Sequence, residues 1–135
     1  MEEIDLCWRA YNQHFKIMYV GKSTIYHIGG ATLNNQNPKK TYLNFRNSLY
    51  TLVKNTDKNL IGRLFVRLLL DGVAGIRFLL QLKFGHFAAI LRAHFSFYVK
   101  LPELINQRKQ LKQRTSYFKV NSIVWLYFIK NKTHF

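Results

Sequence analysis

Two long apolar stretches, residues 60–82 and 84–101, constrain this chain more than any other feature, because charged side chains interrupt both. In the first stretch, apolar residues recur at steps of three and four, which is the spacing of one face of an α-helix. Neither stretch offers the roughly 20 mainly apolar residues that a spanning helix needs. We therefore predict amphipathic helices and no transmembrane segment. The interrupting residues are Arg63, Arg67, Asp71, Arg77 and Arg92.

The same spacing predicts which side chains form the apolar stripe of each helix. The charged Arg63, Arg67 and Asp71 are expected to lie off the first stripe. Pro102 should kink or restart the second helix, before a basic run from Arg108 to Arg114. The predicted first stripe is Leu60, Ile61, Leu64, Phe65, Leu68, Leu69, Val73 and Ile76, and the predicted second stripe is Phe87, Ile90, Leu91, Phe95 and Tyr98.

Charge is distributed unevenly over the 135 residues. The chain has 21 Lys and Arg against 6 Asp and Glu, and three of these acids (Glu2, Glu3 and Asp5) fall within the first five residues. Such a basic chain favours partners that carry phosphate, whether lipid headgroups, nucleotide diphosphates or nucleic acid, and composition does not choose among them. The single cysteine, Cys7, excludes an intrachain disulfide and suits a reducing cytoplasm.

The first 58 residues predict a mixture of helix and short strand. Ile4, Cys7, Trp8, Tyr11 and Phe15 have helical spacing, and acids occupy the first turn, where the helix dipole favours them. An ion pair between Asp5 and Arg9 is expected on the outer face of this helix. The alternation in Lys16–Val20 and in Thr24–Ile28 predicts two short strands joined by a turn at Gly21-Lys22-Ser23.

A second helix should begin at Asn37-Pro38, because an Asn side chain caps free amides and proline suits the first helical position. This helix should end between Asn55 and Asn59. A boundary near residue 59 is expected between this mixed region, residues 1–58, and a basic, amphipathic helical region, residues 59–135.

Four segments in this order resemble the C-terminal part of family 2 glycosyltransferases, the bacterial surface-polysaccharide type similar to rhamnosyltransferases. They are Glu-Glu-Ile-Asp-Leu-Cys-Trp-Arg from residue 2, Lys-Ile-Met-Tyr-Val from residue 16, Tyr-His-Ile-Gly-Gly-Ala-Thr-Leu from residue 26 and Asn-Pro-Lys-Lys-Thr-Tyr-Leu-Asn-Phe-Arg-Asn from residue 37. The resemblance is strong to about residue 55, and the later basic region resembles the membrane-associated tail of these enzymes. The resemblance implies a fold that is mostly α with a short β element. This fold would be the C-terminal remnant of a GT-A α/β fold, followed by amphipathic helices.

The resemblance also implies roles for individual residues. Glu3 falls at the position of the family's general base, more often Asp, and would take a proton from the acceptor hydroxyl with Glu2 as its neighbour. His27 falls where family members direct a histidine toward a divalent metal, Mg²⁺ or Mn²⁺, and the nucleotide diphosphate. The residues expected near the diphosphate or an acceptor phosphate are Asp5, Arg9, Lys39, Lys40 and Arg46.

Each of these roles has a structural alternative. Acids in a first helical turn are commonly explained by the helix dipole alone, and a lone histidine such as His27 by a hydrogen bond within the fold. Basic residues on the later helices are most often a solvated surface, although the aromatic-rich stripe beside them favours an interfacial membrane role.

The family's nucleotide-binding half and its Asp-x-Asp metal motif have no counterpart here, since the sequence contains no Asp-x-Asp. We therefore expect a fragment of an enzyme that moves a sugar from a nucleotide-sugar donor to a saccharide or lipid-linked acceptor, inactive alone and binding no metal tightly. The expected location is the cytoplasmic face of the inner membrane, against anionic lipid. The alternative is a non-enzymatic basic module that binds anionic membrane or nucleic acid. Nucleic acid is not favoured, because a protein that binds it would not need acids and a histidine in the same order as in the glycosyltransferase family.

Overall fold

The computed structural model describes residues 2–24, 26, 36–111, 126–127 and 130–131. In this part of the chain, four helices and no strands are found. The prediction of a β element, and with it of a GT-A α/β remnant, was therefore wrong. The helices are α1 (Glu2–Asn12), α2 (Pro38–Asn55), α3 (Leu60–Leu80) and α4 (Phe84–Gln110).

The segment predicted as the first strand, Lys16–Val20, has no regular secondary structure, and all five of its residues are exposed. Its alternating pattern is real, but no described segment lies beside it, and a strand is stable only when its backbone amides and carbonyls are paired. Only the predicted turn forms, with the Ser23 amide donating to the Val20 carbonyl at 3.0 Å. Of the second predicted strand, Ile25, His27 and Ile28 lie outside the described residues.

The two N-terminal helices begin where local chemistry predicts. Helix α1 carries its acids in the first turn and ends at Asn12, before Phe15. The side chain of Asn37 accepts a hydrogen bond from the Lys39 amide at 2.9 Å, and Pro38 is the first residue of α2. Helix α2 ends at Asn55, as predicted.

The core lies between α2 and α4, the pair with the most extensive contact. Leu49 and Val53 of α2 pack against Phe97 and Leu104 of α4, and all four side chains are buried. Helices on both sides of residue 59, the predicted domain boundary, therefore contribute to one core. The partly buried residues around it are Tyr50, Leu60, Leu64, Leu68 and Leu101.

The inward face of α3 agrees with the predicted one only in part, since Leu60, Leu64 and Leu68 pack on the core as predicted but other positions differ. Asp71, expected off the apolar stripe, is only 2% exposed, whereas Ile61 is 84% exposed. Helix α3 is apolar around most of its circumference, so periodicity alone does not identify the side that packs. Its contact with α4 is close at Gly75, where an added Cβ would lie 3.3 Å from the Phe87 ring.

The predicted stripe of α4 faces inward only in part, since Ile90 is buried as predicted but other members are not. Small residues, Ala89 and Ala93, are buried beside Phe97, whereas Leu91 and Phe95 from the predicted stripe are exposed. Small side chains let the backbones of α2 and α4 approach closely, which large ones on that face would prevent.

Helix α4 continues through Pro102 to Gln110, so the predicted restart does not occur. A proline removes one backbone hydrogen bond, which usually breaks or kinks a helix. Here Leu101 and Leu104, on either side of the proline, pack on the core and hold this part of α4 against α2.

Candidate functional site

The acidic end of α1 is fixed to α2 through Asp5. One carboxylate oxygen of Asp5, Oδ1, accepts a hydrogen bond from Asn55 Nδ2 at 2.7 Å. The other, Oδ2, lies 3.1 Å from both Lys54 Nζ and Arg9 Nε. The predicted pair of Asp5 with Arg9 thus forms, although Asp5 faces α2 and not solvent. With both oxygens accepting from donors, Asp5 is suited to anchor α1 and poorly suited to accept a substrate proton.

Two further contacts hold α1 at the C-terminal end of α2. Trp8 is buried, and the buried Asn12 donates from Nδ2 to the Asn55 carbonyl at 3.3 Å. Asn55 in turn donates from Nδ2 to the Thr51 carbonyl. The first turn of α1 is therefore held at one position on α2, which any chemistry by its acids would require.

The two candidate catalytic acids, Glu2 and Glu3, are both exposed in that first turn. They differ in their surroundings. Glu2 lines a cleft of about 150 Å³ between α1 and α2, and Glu3 does not. Geometry therefore places Glu2 nearer than Glu3 to a space that a hydroxyl could enter. The other residues lining this cleft are Asp5, Asn47, Tyr50, Thr51 and Lys54.

The predicted phosphate contacts separate into two groups. Arg46 lies near the cleft, since its Nε and Nη2 donate at 3.0 and 2.9 Å to Asn47 Oδ1, and Asn47 lines the cleft. Lys39 and Lys40 lie in the first turn of α2, about 22 Å along the axis from Lys54 at 1.5 Å per residue. The structure therefore does not bring these two lysines to the acids.

A second cluster, which sequence reasoning missed, surrounds the ring of Tyr42. The guanidinium carbons of Arg46 and Arg92 lie 5.1 and 5.6 Å from the centroid of this ring. The Tyr42 hydroxyl lies 3.0 Å from Ser96 Oγ, and Arg46 Nη1 donates to it at 3.3 Å. These hydrogen bonds, from Ser96 first and then Arg46, lower the pKa of Tyr42 below its ordinary value. The positive charges of Arg46 and Arg92 act in the same direction.

Arg46 also lies beside a second tyrosine, Tyr50, whose pKa is shifted in the opposite direction. Tyr50 donates from its hydroxyl to the Ser96 carbonyl at 3.2 Å, and Arg46 lies 5.5 Å from its ring centroid. Burial raises the pKa of Tyr50 above its ordinary value, because removal from water disfavours the phenolate.

A groove opens at this Tyr42 cluster. It has a volume of about 430 Å³ and is lined by Tyr42, Leu91, Arg92, Phe95 and Ser96. A neighbouring hollow of about 280 Å³ shares Tyr42 and Arg92 and adds residues from the N-terminal turns of α2 and α4. No sequence pattern could reveal this groove, because its walls come from residues about fifty positions apart. The additional residues of the hollow are Pro38, Lys39, Gly85, Ala88 and Ala89.

The described residues do not fit a metal site. No group of three or more His, Cys, Asp and Glu side chains with metal-binding geometry occurs in residues 2–24 and 36–111 or the few others described. Asp5, the best-placed carboxylate, has its oxygens engaged by Asn55, Lys54 and Arg9. His27, the predicted ligand, lies outside the described residues.

Comparison of the chain with protein-family models, with curated proteins and with solved structures finds no match. Among the described helices, none is both long and apolar enough to cross a bilayer. The resemblance to family 2 glycosyltransferases therefore remains a prediction from the sequence.

Proposed function

We propose that this chain takes part in transferring a sugar from a nucleotide-sugar donor to a saccharide or lipid-linked acceptor, as a portion of a family 2 glycosyltransferase. Its contribution is the carboxylate pair Glu2 and Glu3, one of which removes the proton from the acceptor hydroxyl. The observation that carries the proposal is the anchoring of α1 by Asp5, which holds the first turn of α1 against α2, with Glu2 lining the cleft between the two helices and Glu3 next to it in sequence.

The order of residues supports this role beyond what a helix dipole explains. Dipole and capping preferences explain the acids, Arg9 in the last turn of α1 and the Asn-Pro start of α2 one by one, but they do not require these segments to occur together in the order of the family. Asp5 stabilises the docking of α1, so it is a positioning residue, and Glu2 and Glu3 remain as candidate bases. We assign donor binding to the family's nucleotide-binding half, because this sequence contains no Asp-x-Asp motif and the described residues hold no group of metal-binding side chains.

The chain reconstituted with a donor-binding polypeptide would test the proposal. Replacing the true base by its amide keeps the shape of the side chain but removes the proton acceptor, so turnover should fall by about 10²- to 10⁴-fold. Glu3→Gln and Glu2→Gln would be compared with Glu103→Gln, a carboxylate of the exposed Lys100–Glu103 pair on α4. Unchanged turnover in both of the first two variants would remove these acids from the chemistry. For the isolated chain, metal-dependent nucleotide-sugar binding in calorimetry would contradict the assignment of the donor site elsewhere.

A second candidate role, association with an anionic membrane surface, is favoured by a different observation. Helices α3 and α4 both expose large apolar side chains, and we call this set of side chains the α3–α4 face. On α3 these side chains lie opposite Arg67, which meets the Phe45 ring of α2. On α4, Ser96 contacts α2 and His94 contacts α3. The exposed apolar residues lie on the outer side of the helix, between these two positions. The face comprises Ile61, Phe65, Leu69 and Ile76 of α3 and Leu91, Phe95 and Tyr98 of α4.

Charge decides which partner suits this face. The formal net charge of the chain is +15, so two copies brought together would repel each other. A bilayer with anionic headgroups attracts the same charge by about 1 kcal/mol for each basic residue near its surface. An interfacial helix pair also fits the absence of any spanning helix among the described residues.

Flotation with liposomes tests the membrane role. The chain should float with vesicles containing phosphatidylglycerol at low salt and remain at the bottom with pure phosphatidylcholine. Phe65→Ser with Phe95→Ser should abolish flotation, since both rings are exposed and contribute apolar area to the face. The matched control is Tyr19→Ser, an exposed aromatic residue outside the α3–α4 face. A wild-type chain that stays in the soluble fraction at low salt, or that resists carbonate extraction, would contradict interfacial binding.

A further inference from the structure

The Tyr42 cluster holds two positive charges that no described acid neutralises. Arg46 and Arg92 both lie over the ring of Tyr42, and the other partners of Arg46 are neutral groups, Asn47 Oδ1 and the Tyr42 hydroxyl. Asp5, Asp71 and Glu103 form ion pairs with other basic residues, Lys54, Arg67 and Lys100. Two guanidinium groups held around one ring, without a carboxylate, create a positive potential that an anion would relieve.

The groove beside this cluster is polar on one side and apolar on the other. Arg92 supplies a guanidinium, and the hydroxyls of Tyr42 and Ser96, hydrogen-bonded to each other at 3.0 Å, leave one hydroxyl hydrogen outside this pair to donate to a phosphate oxygen. Leu91 and Phe95 form the apolar side, and both belong to the α3–α4 face. The groove therefore leads from a positively charged site directly onto the apolar surface.

We propose that this groove binds the phosphate group of a phosphorylated membrane lipid, with the hydrocarbon chains of the lipid along the α3–α4 face. The inference deepens the membrane role and rests on it. A monoester phosphate carries up to two negative charges, and Arg92, which lines the groove, can bind it through two parallel hydrogen bonds. A small soluble phosphate would use the polar side alone and leave Leu91 and Phe95 in water.

The test compares vesicles of equal surface charge with different headgroups, using the full chain. The phosphate of phosphatidic acid is a monoester, whereas the phosphate of phosphatidylglycerol is a diester and carries one negative charge. Wild-type protein should bind the phosphatidic acid vesicles about tenfold more tightly, the value of one good charged hydrogen-bond pair. Arg92→Gln should remove this preference, and it should weaken binding to phosphatidylglycerol only as far as the loss of any one positive charge does. Lys109→Gln removes one charge from the exposed end of α4, away from the groove, and should weaken both equally.

The outcomes separate the headgroup site from the membrane role. If the protein binds neither kind of vesicle, the membrane role fails and the headgroup site fails with it. If it binds both kinds equally, or if Arg92→Gln behaves like Lys109→Gln, the headgroup site alone is wrong. Competition with inorganic pyrophosphate forms the third arm: displacement of the chain from phosphatidic acid at micromolar pyrophosphate would assign the groove to a soluble phosphate and overturn the lipid proposal. Folding of Arg92→Gln is checked by circular dichroism, and since Arg92 is exposed we expect no change.

Discussion

At the scale of single residues, Asp71 is the most constrained charge in the described part of the chain. Its Oδ1 lies 2.9 Å from Arg67 Nε and its Oδ2 lies 3.1 Å from His94 Nε2, at the contact between α3 and α4. Removing one member of such a buried group leaves the others without a partner, which is more costly than removing a solvated pair. Asp71 therefore fixes how α3 lies on α4.

Asp71→Ala should lower the free energy of unfolding by about 3 to 5 kcal/mol, as measured by urea denaturation. The matched control, Glu103→Ala, breaks the exposed pair with Lys100 and should cost at most about 1 kcal/mol. Equal losses in the two variants would show that Asp71 contributes no more than a surface charge.

Tyr42 and Tyr50 should titrate in a fixed order. Hydrogen bonds from Ser96 and Arg46 lower the pKa of Tyr42, and burial raises the pKa of Tyr50. In an ultraviolet titration, Tyr42→Phe should remove absorbance change from the part of the curve below pH 10, and Tyr50→Phe from the part above it. If both variants lost absorbance change from the same part of the titration curve, the opposite pKa shifts of Tyr42 and Tyr50 would be contradicted.

The lowered pKa of Tyr42 also sets the sign of its effect on stability. The folded protein releases the hydroxyl proton of Tyr42 more readily than the unfolded chain does. At neutral pH both forms keep this proton, so its release contributes nothing to the free energy of unfolding. The contribution appears as the pH rises through the folded pKa, and it is complete above the unfolded value of about 10. Wild type should therefore gain stability relative to Tyr42→Phe across that interval in alkaline denaturation experiments.

At the scale of helices, Arg108 of α4 closes the C-terminal end of α2. Its guanidinium donates to the Val53 carbonyl at 2.9 Å, to the Asp57 carbonyl at 3.3 Å and to the Thr56 carbonyl. The last carbonyls of a helix have no partner within it, and a cation there also complements the helix dipole. This single side chain thus ties the ends of two helices together.

Arg108→Met keeps much of the side-chain length but removes the donors, and it should lower the unfolding free energy by about 2 to 3 kcal/mol. Lys109→Met, at the neighbouring exposed position, is the control and should have little effect. Thermal melts monitored by circular dichroism provide the comparison, and similar melting temperatures for the two variants would contradict the capping role.

The ends of the helices were more predictable than their inward faces. Asn37-Pro38 specifies the start of α2 through local bonds, and the first turn of α1 is set by its acids. The strand at Lys16–Val20 failed because pairing depends on a distant partner, which a local pattern cannot supply. The groove between Tyr42 and Arg92 was missed for the same reason. In α3, apolar residues exceed those that the core needs, so the buried position of Asp71 could not be inferred.

At the scale of the whole molecule, charge repulsion should keep the α3–α4 face from pairing with itself. Salt weakens repulsion between separated charges but leaves apolar attraction intact. We therefore expect a monomer at low ionic strength and growing self-association as sodium chloride is added, measured by light scattering. Phe65→Ser with Phe95→Ser should suppress this association, whereas dissociation on adding salt would indicate contacts made by opposite charges.

The pairing of α2 with α4 has a consequence for synthesis on the ribosome. Val53 is made 44 residues before its core partner Phe97, an interval of about two to nine seconds at 5–20 residues per second. During this time Leu49 and Val53 lack their partners Phe97 and Leu104, and α3, which emerges next and supplies only partly buried neighbours, is itself strongly apolar. A nascent chain stalled after α3 should therefore bind a chaperone that recognises apolar segments, and one extended until α4 has cleared the ribosome tunnel should release it.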